Sequence, residues 1–491
     1  MQRRIAFPKI MARRIPGCLK LLKDAMTDWT QRPLSAIAAG LRRGDVTATR
    51  LAEEAVDNHQ RSDGALKAYK SWDGPGALQQ AAAADKAFAA GADLGALQGI
   101  PFSVKDIFGV AGFPIFAGSP KQLPKEWEAE GAMVRAIRSQ LAVIPGKTHS
   151  VEFAFGGLGT NPHWGAPRNP WDAIEHRAPG GSSAGAGVSL CEGSAIVAFG
   201  TDTGGSVRVP ASMTGNVGLK TTKRRWPTDG ITPLSSTLDT PGILTRSAAD
   251  AALAFTAIES ALQGAPAPAI APLDVRGLKI GLTGSHFWDR CQDDIAGVIE
   301  DAIAELSVAG AATLEISFPE AIQAAKTMGA GAVVAAEGYA SLQEYLPDWI
   351  ETLDPMVRVR MEDGRKAKAT DYVLALARMA DLAASAAARL EAVDILAVPT
   401  VPLTPPKIAD VADPDAYNLA NSRALSNATV VNVLGLCALS MPVGLDHAGM
   451  PVGLQLISKP GDDSKLLSAG LAIERVLGEG KDRLGPVPNY K

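Results

Sequence analysis

Three stretches of this chain place residues where they could break a bond. In "FGTDTGGSVRVP", Phe199 to Pro210, Ser206 follows two glycines, and no histidine stands within twenty residues to take its proton. "SAIVAF" reads as a strand, "GTDTGG" as a turn whose glycines permit positive φ, and "SVRVPASM" as a short helix with Pro210 near its start. Ser206 is therefore expected at a helix N-terminus. There the backbone N–H groups of Thr203, Gly204, Gly205 and Ser206 lack intrahelical partners and would meet a developing oxyanion. An ordinary N-cap serine would look the same, and this stretch alone leaves both readings open.

The second stretch, "GSSAG" from Gly181 to Gly185, matches the G-x-S-x-G nucleophile elbow on Ser183, with His286 and His447 available downstream. An elbow needs a buried strand running into the serine, whereas the preceding "NPWDAIEHRAPG" is polar and proline-bearing. A Gly/Ser loop capping a helix fits better. In the third, "GIPFSVKDIFGVAG", Ile100, Phe102 and Val104 alternate with Ser103 and Lys105 as along a strand. A lone strand lysine is usually solvated. To act as a base it must be buried deeply enough to lose several units from about 10.4, and periodicity does not decide that. "IPGKTHS" holds the G-K-T end of a phosphate loop, but Leu141 stands where that loop needs glycine and "LAVIP" reads as strand.

The elements that must position these residues alternate between helix and strand. In "DDIAGVIEDAIAELSVAG", Ile295, Val298, Ile299, Ala302, Ile303 and Leu306 share one helical face, Gly310 ends the helix, and "ATLEI" follows as a strand. The order recurs in "GAMVRAIRSQ" and "LAVI", and "LKIGL" and "DILAV" read as further buried strands. An α/β fold is expected, with a large mixed, largely parallel central sheet flanked by helices. The organisation expected is a loose tail over residues 1–30 and a single catalytic domain over 31–491. "GAPAPAIAP", residues 264–272, is a surface connector that could divide two halves or join strands of one shared sheet.

Composition excludes several classes. With 48 basic against 52 acidic side chains and no lysine or arginine block, nucleic acid is not expected as a partner. Cys18, Cys191, Cys291 and Cys437 have neither C-x-x-C spacing nor a histidine at ligand distance, so no metal site or disulfide framework is suggested, and a reducing, cytoplasmic setting fits best. The basic start "MQRRIAFPKIMARRIPGCLKLLKD" lacks a signal-peptide core. The apolar run "VVNVLGLCALSMPVGL" is short and broken by Asn432, Ser440 and Pro442, so no membrane span is expected.

Taken in order, "GIPFSVKDIFGVAG", "GKTHSVEFAFGG", "APGGSSAGAG", "GTDTGGSVRVPAS", "GLKTT" and "STLDTPGILTRS" resemble the amidase signature family of serine hydrolases. Likeness continues in "DILAVPTVPLTPP" and "MPVGLQLISKPGDDSKLL", from about residue 30 to 480, and Ser182 precedes Ser206 by 24 residues, as in the family. The resemblance implies a Ser–Ser–Lys triad without histidine. Ser206 attacks a carbonyl, Ser182 bridges, and Lys105 is the base, an arrangement a hydroxyl can serve because it both donates and accepts. It further implies a cis Gly181–Ser182 peptide, a supporting hydrogen bond from Ser183, and a structural ion pair between Asp202 and Arg208.

Two departures from the family pattern leave the triad untouched: Ala184 before Gly185, and Thr221 where proline often follows "GLK". The expected activity is cleavage of a small-molecule amide through an acyl-enzyme, with carbamates or esters open to the same chemistry and no metal or organic cofactor required. The alternative is the glutaminase subunit of a tRNA-dependent amidotransferase, although the basic tail and "NPHWGAPRNPWDAIEHR" look more like stand-alone bacterial amidases. A homodimer is compatible with either. Pocket walls are expected from "AIQAAKTMGAGAVVAAEGYASLQEYL" and from the residues around "DAYNLANSRALSNATVVN", whose small, sparsely charged side chains suit an uncharged, partly apolar acyl or aryl group.

Overall fold

A computed structural model describes residues 28–284, 286–331 and 333–488. Most of the segment expected as a loose tail, residues 1–27, lies outside them, as does Cys18. The strands are β1 (Tyr69–Trp72), β2 (Phe102–Lys105), β3 (Gly146–Thr148), β4 (Val197–Thr201), β5 (Val217–Lys220), β6 (Pro241–Thr245), β7 (Lys279–Leu282), β8 (Ala312–Glu315), β9 (Ile395–Pro399), β10 (Cys437–Leu445) and β11 (Pro451–Ser458). They form one sheet in the order β1-β3-β2-β4-β6-β5-β10-β11-β9-β7-β8. The helices that bear on the site are α1 (Ala132–Arg138), α2 (Ala184–Glu192), α3 (Arg208–Met213), α4 (Asp293–Val308), α5 (Pro355–Arg365) and α6 (Pro414–Val433).

The sheet is mixed, as expected, but it is not largely parallel. Only β3-β2-β4 at one end and β9-β7-β8 at the other run parallel, and every pairing from β4 through β6, β5, β10 and β11 to β9 is antiparallel. Helix–strand alternation signals parallel pairing only where a helix carries the chain back across the sheet, as α4 does between β7 and β8. The centre uses direct returns instead. The β10–β11 hairpin closes on Asp446, whose carbonyl accepts the Gly449 N–H at 2.9 Å and whose carboxylate takes the N–H groups of Ala448 and Met450.

The connector at 264–272 is irregular, and strands on both sides of it belong to the same sheet. β1–β6 form one contiguous block and β7–β11 the other, meeting at the β5–β10 pair. α4 buries Ile295, Ile299, Ala302, Ile303 and Leu306 of the expected stripe and leaves Val298 half-buried, and β8 follows. "LAVI" is not a strand. Leu141 turns at φ +56, Val143 makes a single bridge to Pro101, and β3 begins only at Gly146, where a Cβ would lie 2.3 Å from the Ser71 carbonyl of the adjacent β1. Among the described residues no helix is long and apolar enough to cross a membrane.

Candidate active site

Lys105 is the last residue of β2 and is wholly buried. Its Nζ lies 2.8 Å from Ser182 Oγ and 2.9 Å from Thr201 Oγ1 at the end of the adjacent β4. Burial drives its pKa down, the charges of Asp239 and Asp202 offset part of that, and the amine is left at about 7. Near neutrality it is therefore substantially uncharged. A neutral amine donates to Thr201 Oγ1 and presents its lone pair to the Ser182 hydroxyl, the polarity a base requires.

Ser182 follows a cis Gly181–Ser182 peptide, and its carbonyl accepts the Val151 N–H at 3.0 Å. The next residue, Ser183, donates its N–H to the Ser206 carbonyl at 3.3 Å, which brings the two expected catalytic serines to neighbouring backbone positions. Ser206 is 4% exposed and its hydroxyl has no protein partner among the described residues. Ser183 Oγ approaches only the Thr201 carbonyl, at 3.4 Å, and its residue enters α2 from irregular chain rather than from a strand. The elbow geometry on Ser183 is absent. Likewise "GKT" is β3, not a loop opening a helix.

Ser206 does not cap a helix. α3 begins at Arg208 with Val207 in the cap position, and the capping is done by Asp202, whose carboxylate accepts the N–H groups of Gly205 (2.8 Å), Val207 (3.1 Å) and Arg208 (3.4 Å). This narrows the expected oxyanion set. The Gly205 N–H is engaged by Asp202, whereas those of Thr203, Gly204 and Ser206 have no protein acceptor among the described residues. Gly205 still matters through its backbone: φ is +126, and a Cβ there would come within 2.6 Å of the Ala428 methyl.

Asp202 and Arg208 form a fully buried pair through Nη2 to Oδ1 at 2.8 Å and Nε to Oδ2 at 3.0 Å. Burial alone would raise the Asp202 pKa, but the charge and hydrogen bonds of Arg208 outweigh it and hold the carboxyl far below the usual range. Arg208 also donates to Gln455 Oε1 at 2.6 Å and Asn432 Oδ1 at 2.5 Å. Removing one partner of such a pair strands a buried charge, a loss of roughly 3–5 kcal/mol. The pair holds the turn that carries Ser206 in place.

Sequence reasoning passed over several supports. Thr201 is one, although it lies in the same motif as Ser206, at the strand position facing Lys105. Asp239, from "STLDTPG", is another: it accepts from Thr203 Oγ1 at 2.5 Å and from the N–H groups of Leu234 and Ser235, while burial raises its pKa. The expected wall segment around "DAYNLANSRALSNATVVN" forms α6, which does flank the turn. Asn432 Nδ2 donates to the Asp202 carbonyl at 2.8 Å, Thr429 Oγ1 to the Gly204 carbonyl at 2.9 Å, and Leu425 lies against both Gly205 and Gly157. In the other expected wall segment, Glu337 accepts hydrogen bonds from Ser235, Thr237 and Tyr372, bracing the loop that carries Asp239; the side chains of residues 329–332 lie outside the described part of the chain. Among the described residues no group of histidine, cysteine and carboxylate side chains is placed to hold a metal ion.

Known proteins resemble this chain over most of its length. The family model described as Amidase matches residues 50–467. The chain is 48% identical to the 2-amino-5-chloromuconic acid deaminase of Comamonas testosteroni over 92% of its own length and 97% of the relative's. It is 32% identical to a glutamyl-tRNA(Gln) amidotransferase subunit from Moorella thermoacetica, covering 89% and 94%. The native peptide amidase of Stenotrophomonas maltophilia superposes with a TM-score of 0.78 at 26% identity, covering 94% of this chain and 99% of that one, and the crystal structure of another amidase with 0.82 at 29%, covering 91% and 100%. The chain belongs to the amidase family and is an amide-cleaving hydrolase.

Proposed function

We propose that Ser206 attacks the planar carbon of a C–N bond in a small molecule, with Ser182 and Lys105 carrying its proton. The observation that carries this reading is a buried lysine, lowered to about 7, at 2.8 Å from the hydroxyl of Ser182, whose neighbour Ser183 donates its N–H to the Ser206 carbonyl. As Ser206 Oγ bonds to carbon, its proton passes to Ser182 Oγ, whose own proton moves to Lys105 Nζ. The N–H groups of Thr203, Gly204 and Ser206 receive the oxyanion. Lys105 then returns a proton through Ser182 to the leaving nitrogen, and the C–N bond breaks to leave an ester on Ser206. Water hydrolyses that ester by the same relay.

Carbamates and esters present a carbonyl of the same geometry and enter the same scheme. Ammonia as leaving group is supported by the Comamonas testosteroni relative, a deaminase whose named substrate is a dicarboxylic acid. The higher identity to that protein, against 32% to the Moorella thermoacetica amidotransferase chain, favours deamination of a small molecule over the alternative of a glutaminase within a larger complex.

The test is covalent capture. A fluorophosphonate should add one phosphonyl group to the purified chain, found on the Ser206 peptide by mass spectrometry, and Ser206→Ala should be unlabelled and inactive yet folded. Labelling of Ser183 instead, or turnover of more than a few per cent in folded Ser206→Ala, would overturn the assignment.

A further inference from the structure

We propose that Arg360 anchors a carboxylate of the substrate several bonds away from the carbon that Ser206 attacks, so that the enzyme acts on acidic molecules. This rests on the Ser206 reading for its position but on separate atoms for its chemistry. Of the three guanidinium nitrogens of Arg360, in α5, only Nη2 has a partner, the Phe155 carbonyl; Nε and Nη1 are buried with no acceptor among the described residues. Among the described residues no carboxylate pairs with it, whereas its neighbour Arg358 has both Glu351 and Glu362. The rings of Phe155 and Tyr417 flank it, with centroids 5.0 and 5.3 Å from Cζ. Arg360 as a residue is half-buried, but guanidinium N–H groups turned inward without acceptors are unfavourable until an anion supplies them, and planar carboxylates match guanidinium donors best.

The position of Arg360 ties it to the reacting centre. Phe155 leads into Gly156 and Gly157, and the Gly157 carbonyl accepts the N–H of Gly181, the residue before Ser182, at 2.7 Å. α6 measures the same separation: Tyr417 stands beside Arg360, Asn421 Oδ1 accepts the Gly157 N–H at 2.7 Å, and Leu425 reaches the Gly205 turn. Tyr417 and Leu425 are eight residues apart, about 12 Å along a helix. The span, shortened by the reach of the two side chains, suits a short acyl chain with a carboxylate at its far end. The uncharged acyl group expected from composition would leave this cation unanswered.

Two measurements test the anchor. The p-nitroanilides of glutaric acid, with a free carboxylate, and of pentanoic acid, without one, should be compared in wild type, Arg360→Lys and Arg360→Gln. Arg360→Gln should lower the ratio of kcat/KM for the acid over the neutral substrate about thirtyfold, mainly through KM, with Arg360→Lys between. An unchanged ratio would overturn the proposal. Calorimetric titration of adipate into Ser206→Ala and into Ser206→Ala with Arg360→Gln needs no turnover. Adipate affinity should fall about thirtyfold in the double variant; equal affinity, or no binding to Ser206→Ala, would overturn the anchor. If adipate binding depends on Arg360 while neither anilide is cleaved, the anchor stands and the amide-cleaving scheme falls.

Discussion

A lysine can serve as a base only if the protein makes its charged form unwelcome. Lys105 meets that condition by complete burial, moderated by Asp239 and Asp202, which keep its pKa near 7 instead of letting it fall further. Because the neutral amine is the active form in the proposed relay, kcat/KM should rise with pH through about 7 and then level off. Arginine keeps the charge and much of the length but stays protonated, so Lys105→Arg should be as inactive as Lys105→Ala across the whole profile. Near-wild-type rates in Lys105→Arg would assign position 105 to charge or packing. At this scale the roles proposed for Lys105, Ser182 and Ser206 come from their family motifs alone. Alternation along β2 placed Lys105 on a strand, but the burial that lowers its pKa comes from β3 and β4 on either side, which no local pattern reports. Arg208 was legible as a partner for Asp202, while its bonds to Asn432 and Gln455 cross more than two hundred residues.

Between elements, Glu152 links the chain that leads to Gly156 with the start of α5, which carries Arg360. Its Oε2 accepts the Asp354 N–H at 2.7 Å, its Oε1 lies 3.3 Å from His163 Nε2, and burial pushes its pKa from 4.5 up to about 8. His163 is shifted the other way, also by burial, and neither its Nε2 nor Glu152 Oε1 has a hydrogen-bond partner among the described residues. A folded-state pKa above the unfolded value contributes stability that is full below about 4.5 and is lost as pH rises through about 8. Glutamine mimics the neutral acid and does not titrate. The melting temperature of Glu152→Gln relative to wild type should therefore climb between pH 5 and pH 8, and a difference that is flat with pH would mean that Glu152 is ionised throughout. Elements with strong periodicity, such as α4 followed by β8, were legible from residue spacing. The β10–β11 hairpin was not, because both its strands are almost wholly buried and lack the polar–apolar alternation that marks a one-sided strand.

Across the whole molecule the proposed chemistry is divided between two blocks of one sheet. Lys105, Ser182 and Ser206 come from the block built by β1–β6, and the wall formed by α5 and α6 comes from the sequence that supplies β7–β11. What joins them is the β5–β10 pair, the buried fork of Arg208 on Gln455 and Asn432, and bonds from Thr222 N–H to Asp463 at 2.7 Å and from Ala248 N–H to Glu474 at 2.6 Å. The connector at 264–272 packs Ile270 against the core and bonds the Ala267 N–H to Ser260 Oγ, and its composition could show a break without showing that the strands on either side pair. A protease site placed at Ala269, followed by cleavage, should therefore leave two fragments that co-elute in gel filtration, melt in one transition and retain most of the turnover. The cut removes a tether and no hydrogen bond of the seam. Fragments that separate in buffer, or a melt resolving into two steps, would show that each block is a domain in its own right. In that case the Asp202–Arg208 fork, with one partner block gone, would be the first buried charge cluster exposed to water.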